Sequence, residues 1–174
     1  MTEYFILLSS GKDRPGIVDD ISSLLFDKGA NIEDSRMAVM GGCFSSMTLF
    51  SYTPAQAEAV RQGLDELRSL GLDAYLHRAE DPAAAPVKAG LPLKFEIISM
   101  DHPGIVKSVV RLLRTHDVNI QSLETQVTRA PHSGAPLFDL RLEARVPAEG
   151  SIAKIKEHLA RLAGETNLDL IFKP

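Results

Sequence analysis

Asp13-Arg14-Pro15-Gly16-Ile17-Val18 returns as Asp101-His102-Pro103-Gly104-Ile105-Val106, 88 residues later. The same offset pairs Leu24-Leu25 with Leu112-Leu113 and Asn31-Ile32 with Asn119-Ile120. Residues 5–40 laid on 93–128 without gaps share 10 identities in 36 positions, at turn and apolar positions. A repeat of this length marks a duplicated structural unit. Between the copies, Glu80-Asp81-Pro82-Ala83-Ala84-Ala85-Pro86-Val87-Lys88-Ala89-Gly90-Leu91-Pro92 is rich in Pro and Ala and reads as a linker. The expected organisation is one unit over 1–80, a linker over 81–92 and a second unit over 93–174.

Outward from the motif, each copy reads strand, helix, strand, strand, helix, strand. In the first, Tyr4 to Ser9 is a short apolar strand. A helix follows from Pro15, which suits a first helical position because its missing N–H costs nothing there. Ile17, Ile21, Leu24 and Leu25 form one buried stripe, and Gly29 stops the helix. Strands 31–40 and 43–52 flank Gly41-Gly42, a two-residue hairpin turn that needs positive φ. Thr53-Pro54 opens a second helix with Val60, Leu64 and Leu67 facing inward; Gly71 ends it, and 72–79 is the closing strand. In the second copy the hairpin carries a longer loop, Arg129 to Pro136. Strand–helix–strand–strand–helix–strand gives an α+β class: two tandem ferredoxin-like units, antiparallel sheets with helices on one face.

The recurring loop lies where the first strand meets the first helix. Two readings fit it. In one, a glycine without a Cβ lets a small ligand reach the N–H groups of the helix start, whose positive dipole end suits a carboxylate. Asp13, Asp101, Asn31 and Asn119 then offer oxygens to an amine, and the pair of features matches an amino acid zwitterion. In the other, the motif is helix-start chemistry alone, and each Asn takes a left-handed turn after a helix.

The motif and the Asn-Ile that follows it, both occurring twice, resemble the ACT domain family over nearly the whole chain. That resemblance implies regulatory modules that bind small ligands, most often amino acids, where two ACT units meet. Carried over by position, it implies ligand-binding residues Asp13, Gly16, Ile17, Asn31 and Ile32 in unit 1 and Asp101, Gly104, Ile105, Asn119 and Ile120 in unit 2. Arg14 and His102 stand in the variable slot of the motif, beside the ligand or in solvent. A transcription factor as protein partner, and no direct contact with nucleic acid, are implied in the same way. The alternative is a protein–protein interaction module with no small-molecule ligand.

Composition narrows the classes. The 174 residues carry a net charge of −4, which argues against a dedicated nucleic-acid binder. No apolar run approaches the roughly 20 residues of a membrane span, and the N-terminal segment lacks a secretory pattern, so a cytoplasmic, non-membrane protein is expected. The single cysteine, Cys43, excludes a disulfide framework and a multi-cysteine zinc site. His77, His102, His116, His132 and His158 have no metal or catalytic spacing, and no nucleophile elbow or phosphate loop is present. No enzyme activity, catalytic residue, cofactor or metal is expected.

The halves differ in charge. Residues 1–85 hold 7 basic and 13 acidic side chains, net −6; residues 86–174 hold 12 and 10, net +2. Lys107, Arg111 and Arg114 share one helix face, either solvated or recruiting a partner. The third strands differ too. In unit 2, Phe138, Leu140, Leu142, Ala144 and Val146 alternate with charges, a core face and a wet face. Matching Pro54 to Pro147 puts Met47 and Leu49 on the core face of unit 1. Phe44, Ser46, Thr48, Phe50 and Tyr52 then fall on the open face. An exposed aromatic patch marks a contact surface, so a homo-oligomer through Phe44, Phe50 and Tyr52 is expected. RNA-recognition modules place aromatics similarly, but the acidity of unit 1 opposes that reading.

Overall fold

The computed structural model describes residues 2–84, 90–131 and 133–174; Met1, His132 and linker residues 85–89 lie outside the described residues. The chain divides into two compact units, Met1–Ala85 and Pro86–Pro174. In unit 1, β1 (Glu3–Lys12) leads to α1 (Ile17–Asp27), then the hairpin β2 (Asn31–Met40) and β3 (Cys43–Tyr52), a 3-10 turn (Pro54–Gln56), α2 (Ala57–Ser69) and β4 (Leu72–Ala79). Unit 2 repeats this as β5 (Leu91–Met100), α3 (Ile105–Arg114), β6 (Asn119–Arg129), β7 (Pro136–Val146), α4 (Ile152–Thr166) and β8 (Asp169–Lys173). Leu91 and Pro92, which the sequence reading assigned to the linker, are strand. The sheets have the orders β2-β3-β1-β4 and β6-β7-β5-β8, with every pairing antiparallel. This is the ferredoxin-like arrangement, twice.

The local signals act as expected. Gly41 and Gly42 take φ of 58° and 77°, the values a two-residue hairpin turn requires. Thr53 and Gln56 form a reciprocal capping box ahead of α2. Ile17, Ile21, Leu24 and Leu25 of α1 and Val60 and Leu67 of α2 are buried with Leu7, Leu72 and Ala74 of the sheet in one core. The core of unit 2 joins Ile105, Val109 and Leu113 of α3 and Ile155 and Leu159 of α4 to Leu93, Phe95, Ile97 and the inward side of β7.

The face assignment of β3 is overturned. Phe44, Phe50 and Tyr52 lie under the helices: Phe50 is 0% exposed and forms a triangle of rings with Phe5 and Tyr52, whose centroids are 6.4 and 6.0 Å away. Ser46 and Thr48 are buried beside them, whereas Met47 is 49% exposed. The cause is register. β1 pairs Phe5 with Phe50, and β5 pairs Leu93 with Ala144. Phe5 and Leu93 are 88 apart, but Phe50 and Ala144 are 94 apart, because the second hairpin loop is longer. Pro54 opens a 3-10 turn and Pro147 a different turn, so matching them used an offset of 93. A slip of one residue sends every side chain of a strand to the opposite face. The expected oligomer contact through Phe44, Phe50 and Tyr52 therefore has no exposed aromatics to make it.

The helix-free face of unit 1 is apolar through other residues. Ile6 pairs with Leu49, and Leu8 lies between Met47 and Tyr75. The matching face of unit 2 is charged: Arg141 pairs with Glu96 and Asp139, Lys173 with Glu96, and Lys94 with Glu143. The amines and guanidinium that hydrogen-bond Glu96, from Lys173 first and then Arg141, hold its carboxyl below the usual glutamate range.

Candidate functional site

The repeated loop leaves β1 at Lys12, and the Asp13 N–H donates to the Gly42 carbonyl at 2.9 Å, tying the loop to the hairpin turn. The helix then starts later than Pro15. Gly16 is its N-cap, with φ of 92°, and Gly104 repeats this with φ of 101°. These angles are left-handed, costly for any residue with a Cβ, and they explain a glycine at this point in both copies. The space beside them is open. A Cβ on Gly16 meets only the Arg14 Nη1 at 3.9 Å, and one on Gly104 meets nothing within 4 Å. A glycine cap offers no side-chain acceptor to the first N–H groups of either helix, which lie at the positive end of its dipole.

The remaining loop side chains are unequal. Arg14 is folded over the helix start, its Nη2 donating to Asp20 Oδ2 at 2.7 Å and to the Leu70 carbonyl at 3.5 Å. His102 is exposed, with its Nδ1 3.3 Å from the Pro103 carbonyl oxygen. Asp13 and Asp101 are exposed. Ile17 and Ile105 are 2% and 3% exposed and belong to the cores, so their side chains do not line the loop surface.

Asn31 and Ile32 lie elsewhere. Lys12 stands opposite Cys43 on β3, and Asn31 opposite Ser51, eight residues along the strand. At about 3.3 Å per residue, roughly 26 Å separate the loop from the start of β2. In unit 2, Met100 opposite Leu137 and Asn119 opposite Arg145 give the same spacing. One unit therefore does not bring the implied residues together. Asn31 Nδ2 donates to Glu33 Oε1 at 3.1 Å, and Ser51 Oγ donates to the same oxygen at 2.7 Å; Ser51 first, then Asn31, holds the Glu33 carboxyl below its ordinary range. Asn119 is exposed and Ile120 packs on the core edge. Both edge strands carry a bulge there, at Ile32/Asp34 and Ile120/Ser122.

A cleft that the sequence reading missed opens in unit 1 between α1 and β2, over β3. Val18, Ile21, Ser22, Ile32, Ser35, Arg36, Met37, Phe44, Ser46 and Thr48 line it. The signal that finds it is a comparison of the copies at the offset of 94 after the hairpin. Among the described residues no three His, Cys, Asp or Glu side chains are placed to hold a metal ion. His116 and His158 do meet across α3 and α4, Nε2 to Nδ1 at 2.9 Å. No helix of the described residues is long and apolar enough to cross a membrane.

The duplicated fold, with its glycine-capped strand–helix loop, defines a class: the ACT domain family model matches residues 3–76, nearly all of unit 1, and unit 2 repeats the same element order and loop. It is similar to the glycine cleavage system transcriptional repressor of Escherichia coli (strain K12), 27% identical over 166 residues, 94% of this chain and 86% of that one. A crystal structure of an unknown protein from Galdieria sulphuraria is 28% identical, covers 99% of this chain and 98% of its own, and superposes with a TM-score of 0.85. A structure described as a putative glycine cleavage system transcriptional repressor shares the fold at 22% identity and a TM-score of 0.71, covering 99% and 97%.

Proposed function

We propose that this protein is a non-enzymatic regulator that binds a small amino acid at its helix-start loops and signals through a protein partner in transcriptional control of amino-acid metabolism. The carrying observation is the pair of left-handed glycine caps at Gly16 and Gly104, each with open space beside it at a helix start. A carboxylate fits the N–H groups of a helix start, and the exposed Asp13 or Asp101 suits an amine. The E. coli relative is named as a transcriptional repressor of the glycine cleavage system, which supports a role in transcriptional control and makes glycine the first candidate ligand. Because the loop and the start of β2 lie at opposite ends of a sheet, one unit by itself does not supply both sets of residues to one ligand. Such a regulator works in the cytoplasm and leaves DNA to its partner.

Thermal shift across the twenty amino acids tests this. A ligand at a hundred times its dissociation constant adds about 2.7 kcal/mol of stability. The expected result is a shift with one or a few small amino acids, reduced in Asp13→Asn or Asp101→Asn. No shift with any of them favours the second reading, a protein-interaction module without a ligand. The apolar helix-free face of unit 1 around Ile6, Leu8 and Tyr75 supports that one.

A further inference from the structure

The two copies act as each other's control. At the offsets of 88 before the hairpin and 94 after it, Ser9, Ser22, Ser35, Ser46 and Thr48 of unit 1 stand where unit 2 has Ile97, Val110, Leu123, Leu140 and Leu142. Five hydroxyl side chains replace five aliphatic ones, all between α1 and the sheet or within the sheet below it. In unit 2 Ile97, Leu140 and Leu142 are core, at most 1% exposed. In unit 1 the smaller side chains leave the α1–β2 cleft, a cavity of ≈ 60 Å³ that opens to solvent.

The cleft has a polar floor and an apolar mouth. Ser9 Oγ and Ser46 Oγ satisfy each other at 2.7 Å. Thr48, 5% exposed, lines the cleft and places a hydroxyl-bearing side chain on its floor; the sealed polar atom without a partner among the described residues is Arg145 Nε alone. Around the rim, Val18, Ile32 and Met37 are 53%, 42% and 56% exposed. Apolar walls with a few placed polar groups are the general design of small-molecule sites.

We infer that the α1–β2 cleft of unit 1 is a binding site for a short-chain aliphatic molecule whose one hydroxyl, carbonyl or amide group reaches Thr48. The apolar body lies against Val18, Ile21 and Met37, and the polar group bonds the Thr48 hydroxyl on the floor. Unit 2, filled by Leu140 and Leu142, has no such site. The cleft lies within one unit and does not depend on the loop site, with which it shares only Ile32.

Methyl-resolved NMR of the full chain tests this with isobutanol, L-valine, L-threonine and 2-oxoisovalerate as probes. The expected result is a saturable shift of the Ile21 and Met37 methyls by at least one probe, with the Val109 methyls of unit 2 unmoved. Thr48→Val keeps the shape and removes the hydroxyl; it is expected to weaken that binding about five- to tenfold. Ser46→Leu/Thr48→Leu, which installs the residues of unit 2, is expected to abolish it. If the double variant does not fold, Thr48→Val decides. Methyls that no probe moves, which leave a water-filled hollow only, or probes that bind Thr48→Val as tightly as the parent, overturn the proposal.

Discussion

Truncating Phe50 to Ala separates the two possible registers of β3. Phe50 is fully buried against Phe5 and Tyr52, so the change removes a ring from the middle of the unit 1 core. Buried Phe→Ala changes cost about 3–5 kcal/mol. For a unit spanning Met1–Ala85, roughly 0.05–0.15 kcal/mol per residue gives a total of about 4–13 kcal/mol, so much of its stability is at stake. The chain supplies its own reporter: it has no Trp, and its three tyrosines, Tyr4, Tyr52 and Tyr75, all lie in unit 1. Urea unfolding followed by tyrosine fluorescence therefore reads this unit within the full chain. With a slope of about 1–1.5 kcal/mol per molar, the midpoint is expected to fall by about 2–5 M. Met47→Ala, at a half-exposed site, is expected to stay within about 0.5 kcal/mol. A Phe50→Ala midpoint within about 0.3 M of the parent, together with a smaller particle on size exclusion, would restore the exposed-aromatic assignment and refute the register argued here.

Alanine at Gly16 or Gly104 must adopt a left-handed conformation and is expected to cost about 1–2 kcal/mol, while Asn, which tolerates that region, costs less. Equal losses for Ala and Asn in thermal melts would show that backbone conformation is not what selects glycine there. Glu96 is held below its unfolded pKa by Lys173 and Arg141, so its contribution is present above the unfolded value and is lost as pH falls through the lower folded value. Glu96 is partly buried but its partners Arg141 and Lys173 are exposed, so salt screens the effect. Carboxyl-carbon NMR should find its midpoint below the ordinary glutamate value and higher in Lys173→Ala; identical midpoints in the two proteins contradict the assigned cause.

What the sequence reveals divides by range. The α1 stripe, the Gly41-Gly42 turn and the Thr53 cap are decided by residues within a few positions of one another, and each is legible. The face of β3 is not, because it depends on a hairpin six residues longer in the second copy, and Pro54 and Pro147 belong to different turns. The Gly16 cap is legible as a glycine requirement but not as a positive φ, which only the helix start at Ile17 reveals. Asp13 and Asn31 look like one site in a linear motif. The pairing of Lys12 with Cys43 and of Asn31 with Ser51 sends them to opposite ends of the sheet. The hydroxyl set of the cleft is scattered over forty positions, each serine unremarkable until placed beside its aliphatic counterpart.

The edge of the unit 1 sheet bears on how the protein behaves in the tube. Every residue of β2 is exposed. Its first half carries Glu33, Asp34 and Arg36 and is bent by the bulge, both of which discourage another strand from adding. Its second half, Met37-Ala38-Val39-Met40, has neither charge nor bulge. Sticking between concentrated chains begins at such uncharged strand edges, so solubility here is governed by four consecutive side chains and not by the overall charge of the molecule.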